Sequence, residues 1–189
     1  CVQLSRDVPL ITNVSVLETS PNNGRIEVKW MKPLADDLDT LLNHGPYRYE
    51  VQWARGFGGT NFETLATFTS PTYWQLTQSE FIHQTGLNTQ GEAHTYRIAF
   101  FVKNEQNPLG YSPTASSVFL EIAPTDNRNN LSWKAEVPWV NTKYTIFRRD
   151  ILAPQWDSIA VVQYTFYADK GLLNGREYCY YVKTYGSYG

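Results

Sequence analysis

Methionine occurs once in this chain and cysteine twice. Cys1 and Cys179 stand near opposite ends, a spacing that makes neither a disulfide scaffold nor a metal site. No apolar run approaches the ~18 residues of a membrane-spanning helix. Charge of one sign is lacking too: 16 Lys and Arg against 18 Asp and Glu leave a net charge of −2 and a pI near 5.9. That balance excludes a strongly basic nucleic-acid binder and a polybasic membrane-surface protein. No Gly-x-Ser-x-Gly, Walker or dinucleotide-binding motif occurs. The expectation is therefore a chain without cofactor or metal, with no nucleic-acid partner and no membrane span. An export signal is expected to have been removed or to lie outside the fragment.

What is present is apolar and aromatic. Of 189 residues, 42% are hydrophobic and 15% aromatic, enough for a core and too much for disorder. Short runs alternate between apolar and polar residues, separated by Gly, Pro, Asn and Asp clusters. Such runs cover residues 11–17, 25–30, 47–53, 62–68, 80–83, 95–103 and 117–122. Within 25–30, Ile26, Val28 and Trp30 share one face. The leucines of 34–43 predict at most a short helix in a loop. Strands at this spacing predict an antiparallel sandwich.

After residue 126 the pattern starts again, with strands predicted at 131–133, 144–149, 157–162, 165–168 and 176–184. Trp30 matches Trp133 at an offset of 103, Tyr49 matches Tyr144 at 95 and Leu87 matches Leu172 at 85. Tyr96 matches Tyr178 at 82. Offsets that fall only in the loops mean one fold written twice. The predicted organisation is a linker over 1–7, one domain over 8–123 and a second over 124–189. No residues remain for a seventh strand in the second domain. The chain is thus expected to be a piece of a longer protein, or to receive that strand from another chain.

Residues 172–178 (LLNGREY) resemble the tyrosine-corner segment of fibronectin type III domains. There a Leu, a turn and a Tyr open the sixth strand, and the Tyr hydroxyl bonds back to the turn backbone. Leu87 and Tyr96 repeat the pair, and Trp30 and Trp133 match that family's core Trp. The implied fold is all-β: two tandem immunoglobulin-like sandwiches, the second lacking its last strand. The runs 131–135 (LSWKA), 138–144 (PWVNTKY) and 175–182 (GREYCYYV) resemble repeats in large surface proteins of gliding bacteria. That resemblance implies type IX secretion, an extracellular location and a non-enzymatic, adhesion-related role. An accessory region of a secreted polysaccharide-degrading enzyme, with a carbohydrate ligand, is the alternative. A component of a secretion or motility complex is a third.

The remaining motifs are weighed against plain structural roles. Asp36, Asp37 and Asp39 sit in one loop with oxygens suited to calcium, but lack the EF-hand Gly and terminal Glu, so a solvated acidic loop is expected. His44, His83 and His94 have no ligand-spaced companions and are expected at the surface. The Gly-rich run 55–59 opens no helix and is expected to be a hairpin loop rather than a phosphate cradle. Trp53, Tyr73, Trp74, Trp139 and Trp156 are candidates for a sugar-stacking face, although core packing explains most strand aromatics. Pro138 and Trp139 are expected to contact the loops of the first domain. Asp39-Thr40-Leu41 and Asp157-Ser158-Ile159 resemble an O-glycosylation pattern of exported proteins in related bacteria, making Thr40 and Ser158 candidate sites. Asn13 and Asn130 fit an N-glycosylation acceptor, but fall on predicted strands. A Cys1–Cys179 disulfide is not expected, because stacked domains separate the two.

Overall fold

The computed structural model describes residues 6–153 and 155–188. Its contacts divide the chain into two compact units, Cys1–Ser117 and Val118–Gly189.

In the first unit, alternation sets each strand's buried face. Strand β1 (Leu10–Glu18) pairs with β2 (Arg25–Met31), which pairs with β5 (Glu80–His83). Ile26, Val28 and Trp30 of β2 are buried while their neighbours are not. Between β2 and β3 (Tyr47–Arg55), the predicted helix shortens to α1 (Ala35–Leu38). Only Leu38 of its leucines is buried; Leu41 and Leu42 are exposed. No side chain caps α1, and Asp39 ends it in the left-handed region at φ 49°.

The facing sheet runs β4 (Glu63–Ser70), β3, β6 (His94–Phe101) and β7 (Gly110–Tyr111), with β8 (Ala115–Ser116) also on β6. Strand β6 has ladder neighbours on both edges and is buried at every position except Arg97. The two sheets meet at Trp30 and Tyr49, whose rings lie edge to face at 5.8 Å.

The second unit repeats the plan. Strands β9 (Phe119–Thr125), β10 (Arg128–Lys134) and β13 (Phe166–Lys170) form one sheet in the order β13-β10-β9. Strands β11 (Val140–Asp150), β12 (Asp157–Val162) and β14 (Tyr178–Ser187) form the other, in the order β12-β11-β14. Its core is Leu131, Trp133, Tyr144, Ile146 and Val162. Trp133 meets Tyr144 edge to face at 5.4 Å, repeating the Trp30–Tyr49 contact. The fold is thus all-β, two tandem sandwiches. Among the described residues, nothing in the second unit corresponds to β7 or β8, and β14 pairs with β11 alone.

The boundary differs from the expected 123/124. Of the predicted strand 117–122 only Ser117 stays with the first unit, bonded to His94, because β9 pairs along its length with β10 and Leu120 packs on the second core. Pro124 is a strand residue, not a linker. It is tolerated because β9 is an edge strand, where a missing N–H breaks no ladder. The first unit closes instead with two short pieces, β7 and β8.

Candidate functional site

Two buried polar clusters occupy the sandwich interiors, and sequence reading identified neither. In the first unit, β5 ends on His83 and β6 opens on His94. Both are buried, at 5% and 1% exposure, which corrects the expectation of surface histidines; His44 is exposed. The Trp53 indole N–H donates to His94 Nδ1 at 3.2 Å. His94 Nε2 lies 3.2 Å from the Asn88 carbonyl oxygen, which can only accept. Together these bonds require the neutral imidazole with its proton on Nε2. His83 Nδ1 lies 3.0 Å from the Tyr96 hydroxyl, and its ring meets Trp53 at 5.1 Å. Burial, then the neighbouring His94, holds His83 down to about 4. Burial also holds His94 below the usual histidine value.

In the second unit the interior carries an ion pair. Both carboxylate oxygens of Asp169 accept from Arg148 at 3.1 Å. The Tyr180 hydroxyl donates to Asp169 at 2.8 Å, and the Asn129 side-chain amide donates to Tyr180 at 3.0 Å. Asn129 and Asp169 are directly paired across β10 and β13, and Arg148 and Tyr180 across β11 and β14. Two cross-strand pairs, one from each sheet, thus join through the middle of the sandwich. Asp169 is buried, while Arg148 keeps partial access to water. At the offset of 95 that relates Tyr49 to Tyr144, Arg148 stands where the first unit has Trp53. One interior position is filled by an indole in one copy and by a paired guanidinium in the other.

The candidate residues separate by burial. Trp30 and Trp133 are core residues, and neither indole N–H has a hydrogen-bond partner among the described residues. Tyr178 accepts from the backbone N–H of Leu173 at 3.2 Å. In that turn Gly175 sits at φ 78°, a conformation side chains disfavour. Tyr96 departs from the implied corner, because its hydroxyl meets His83 rather than the turn backbone. Its counterpart turn in the first unit is longer, and the buried imidazole takes the hydroxyl instead.

Trp53 and Tyr73 are buried and belong to no exposed sugar-stacking face. Trp74 is 80% exposed, beside Tyr73 and 5.9 Å from the Lys32 ammonium. Trp139 lies in the β10–β11 loop after Pro138, where its indole N–H donates to Asn141 at 3.1 Å and its ring packs on Tyr188. Thr40 follows α1 in a turn, half-buried, and Ser158 is exposed on β12. Asn13 and Asn130 lie on β1 and β10.

The acidic loop's carboxylates accept from backbone N–H groups. Asp37 accepts from the Arg6 N–H at 2.8 Å and Asp39 from the Leu42 N–H at 3.1 Å. Among the described residues, no group of three metal-ligating side chains converges. A hollow of about 360 Å³ is lined by Tyr47, Arg48, Ser70, Pro71 and Phe101. Its one cation, Arg48, lies 3.8 Å over Phe101 and pairs with Glu50 at 3.4 Å. Among the described residues, no helix is long and apolar enough to cross a membrane. Cys179 is free and half-buried on β14; Cys1, and with it the Cys1–Cys179 question, lies outside the described residues.

No family model matches the chain. No curated protein matches it. Among solved structures, the FN1–FN3 domains of chicken contactin (CNTN1) are 16% identical, with a TM-score of 0.38 over 96% of this chain. This chain spans 63% of that one. A two-domain fibronectin type III segment of chicken tenascin is 15% identical, with a TM-score of 0.29, over 92% of this chain and 90% of its own. The fibronectin type III-like arrangement rests on the chain's own strand order: β1-β2-β5 faces β4-β3-β6, and β9-β10-β13 faces β12-β11-β14.

Proposed function

We propose that this chain is a non-enzymatic structural and adhesive stretch of a large bacterial surface or secreted protein. The observation that carries this reading is the repetition itself. The same strand order and the same Trp–Tyr contact across the sheets occur twice in succession. A repeated module extends a chain and multiplies surface without building a reaction centre. The buried titratable groups fit that role, since His94 and Asp169 are both held by interior partners. Neighbouring repeats of the same parent are its first partners. Gliding-related adhesion and type IX export are the finer form of the proposal, and rest on the sequence resemblance.

The test is surface exposure. Antibody raised to this chain should label intact, unpermeabilised cells of the source organism or their secreted fraction. A strain lacking this stretch should attach less well. Labelling confined to lysed cells would overturn the reading. The accessory-enzyme alternative predicts a hydrolase in the same polypeptide, which the full reading frame decides.

A further inference from the structure

We propose that the outer face of the β12-β11-β14 sheet binds an acidic polysaccharide, a chain bearing uronic-acid carboxylates. Tyr144 and Ile146 of β11 point into the core, so alternation turns Lys143, Phe147 and Arg149 to the other face. Their partners across the ladder are Tyr185, Tyr181 and Cys179.

Aromatic rings form the middle of this face. Phe147 and Tyr181 stack at 4.5 Å with an interplanar angle of 8°. Trp156 stands edge-on to Tyr181 at 4.7 Å. Trp156 and Tyr181 remain 38% and 39% exposed. A sheet face that meets water alone ordinarily carries polar residues, and a patch of rings there marks an interaction surface.

Cations flank the rings. Arg149 lies 5.0 Å over Trp156. Lys143 and Lys183 lie 4.6 and 5.3 Å from the Tyr185 ring. None of these three has a carboxylate partner among the described residues, and the Arg149 Nε is buried without a hydrogen-bond acceptor. Elsewhere in the same unit Lys134, Arg148 and Arg176 pair with Glu136, Asp169 and Asp150. On this face β12 contributes Ser158 and Val161 opposite Phe147 and Thr145, with no carboxylate. The charge is therefore uncompensated within the face, and its complement is an anion.

Shape selects the kind of anion. From Arg149 to Lys143 the strip runs roughly 20 Å along an extended strand. Rings between two cationic ends offer apolar surface to a sugar's C–H groups and charge to its carboxylates. A peptide strand reads a sheet at its edge, through the backbone, rather than on its face. A nucleic acid calls for a more basic protein than one of net charge −2.

The proposal rests on the surface-module reading, which brings polysaccharide within reach. The test is isothermal titration of the whole chain with polygalacturonate, dextran, polyglutamate and an oligouridylate. Polygalacturonate should bind and weaken with added salt; dextran should not bind. The exposed double variant Lys143→Gln with Lys183→Gln should lose at least tenfold in affinity at unchanged melting temperature. Trp156→Ala should lose affinity in the same direction. Absence of polygalacturonate binding, equal binding by the double variant, or equal binding of polyglutamate or oligouridylate overturns the proposal. Failure here with intact cells still labelled removes the ligand and leaves the surface module. Binding here with labelling confined to lysed cells does the reverse.

Discussion

The indole N–H of Trp53 points at Nδ1 of His94 across 3.2 Å and thereby fixes that imidazole as a neutral acceptor. A proton on Nδ1 would set two donors against each other in a buried site, where an unmet donor costs about 1–3 kcal/mol.

The first prediction is acid sensitivity of the first unit. His83 titrates at about 4 in the fold against an ordinary value of 6.5, and His94 is shifted in the same direction. The unfolded chain therefore takes up protons first as pH falls. Stability is full above pH ~6.5 and is lost progressively down to about pH 4, with His83 alone accounting for on the order of 3 kcal/mol. The nearby Arg55–Glu92 pair, at 3.7 Å, is exposed enough to add little. Urea unfolding at pH 7 and pH 4.5 checks this; a midpoint that does not move would refute it.

Removing Asp169 should cost more than removing its charge. Asp169→Ala leaves Arg148 and Tyr180 without their interior acceptor and should destabilise the second unit by about 2–4 kcal/mol, at the low side of buried pairs because Arg148 is partly solvated. Asp169→Asn keeps an acceptor for Tyr180 and should cost less. Denaturant midpoints of both variants compare the two; equal losses would show that the bonds contribute nothing beyond charge.

The two corner-position tyrosines should respond differently to loss of the hydroxyl. Tyr178→Phe removes one bond to the Leu173 N–H in an exposed turn, worth about 1 kcal/mol. Tyr96→Phe strands His83 Nδ1 in the interior and should cost more, while altering the acid transition. A pH profile of Tyr96→Phe identical to the parent would count against the imidazole contact.

Trp133→Ala should empty the second core at a cost of about 3–5 kcal/mol and leave the first unit folded, because the two units have separate interiors. An amide correlation spectrum should lose the dispersed signals of residues beyond 118 and keep the rest. Simultaneous collapse of both halves would show that they fold as one.

Strand positions were legible because burial imposes a period of two, and β2 displays it without exception from Ile26 to Trp30. The repeat was legible because equivalent core positions demand equivalent side chains, as Trp30 and Trp133 show. The boundary was not, because β7 and β8 have two residues each, too few to alternate, while the run read as 117–122 belongs from Val118 onward to the second unit. The interior polar clusters were hidden for another reason. Histidine and aspartate read as surface residues unless their partners are known, and Trp53 is 41 residues from His94. The aromatic face of the second unit was half visible: Trp156 stood out as a candidate, but its grouping with Phe147 and Tyr181 depends on strand register.

Strand β14 has one ladder partner among the described residues, whereas β6 has neighbours on both sides. Alternate amides of β14 therefore face outward from the pairing edge. In deuterated solvent these should exchange in a one-on, one-off rhythm along the strand, fast at outward positions and slow at those bonded to β11. The corresponding stretch of β6 should show no such rhythm where β7 and β8 meet it, so the two copies of one module would carry visibly different exchange signatures.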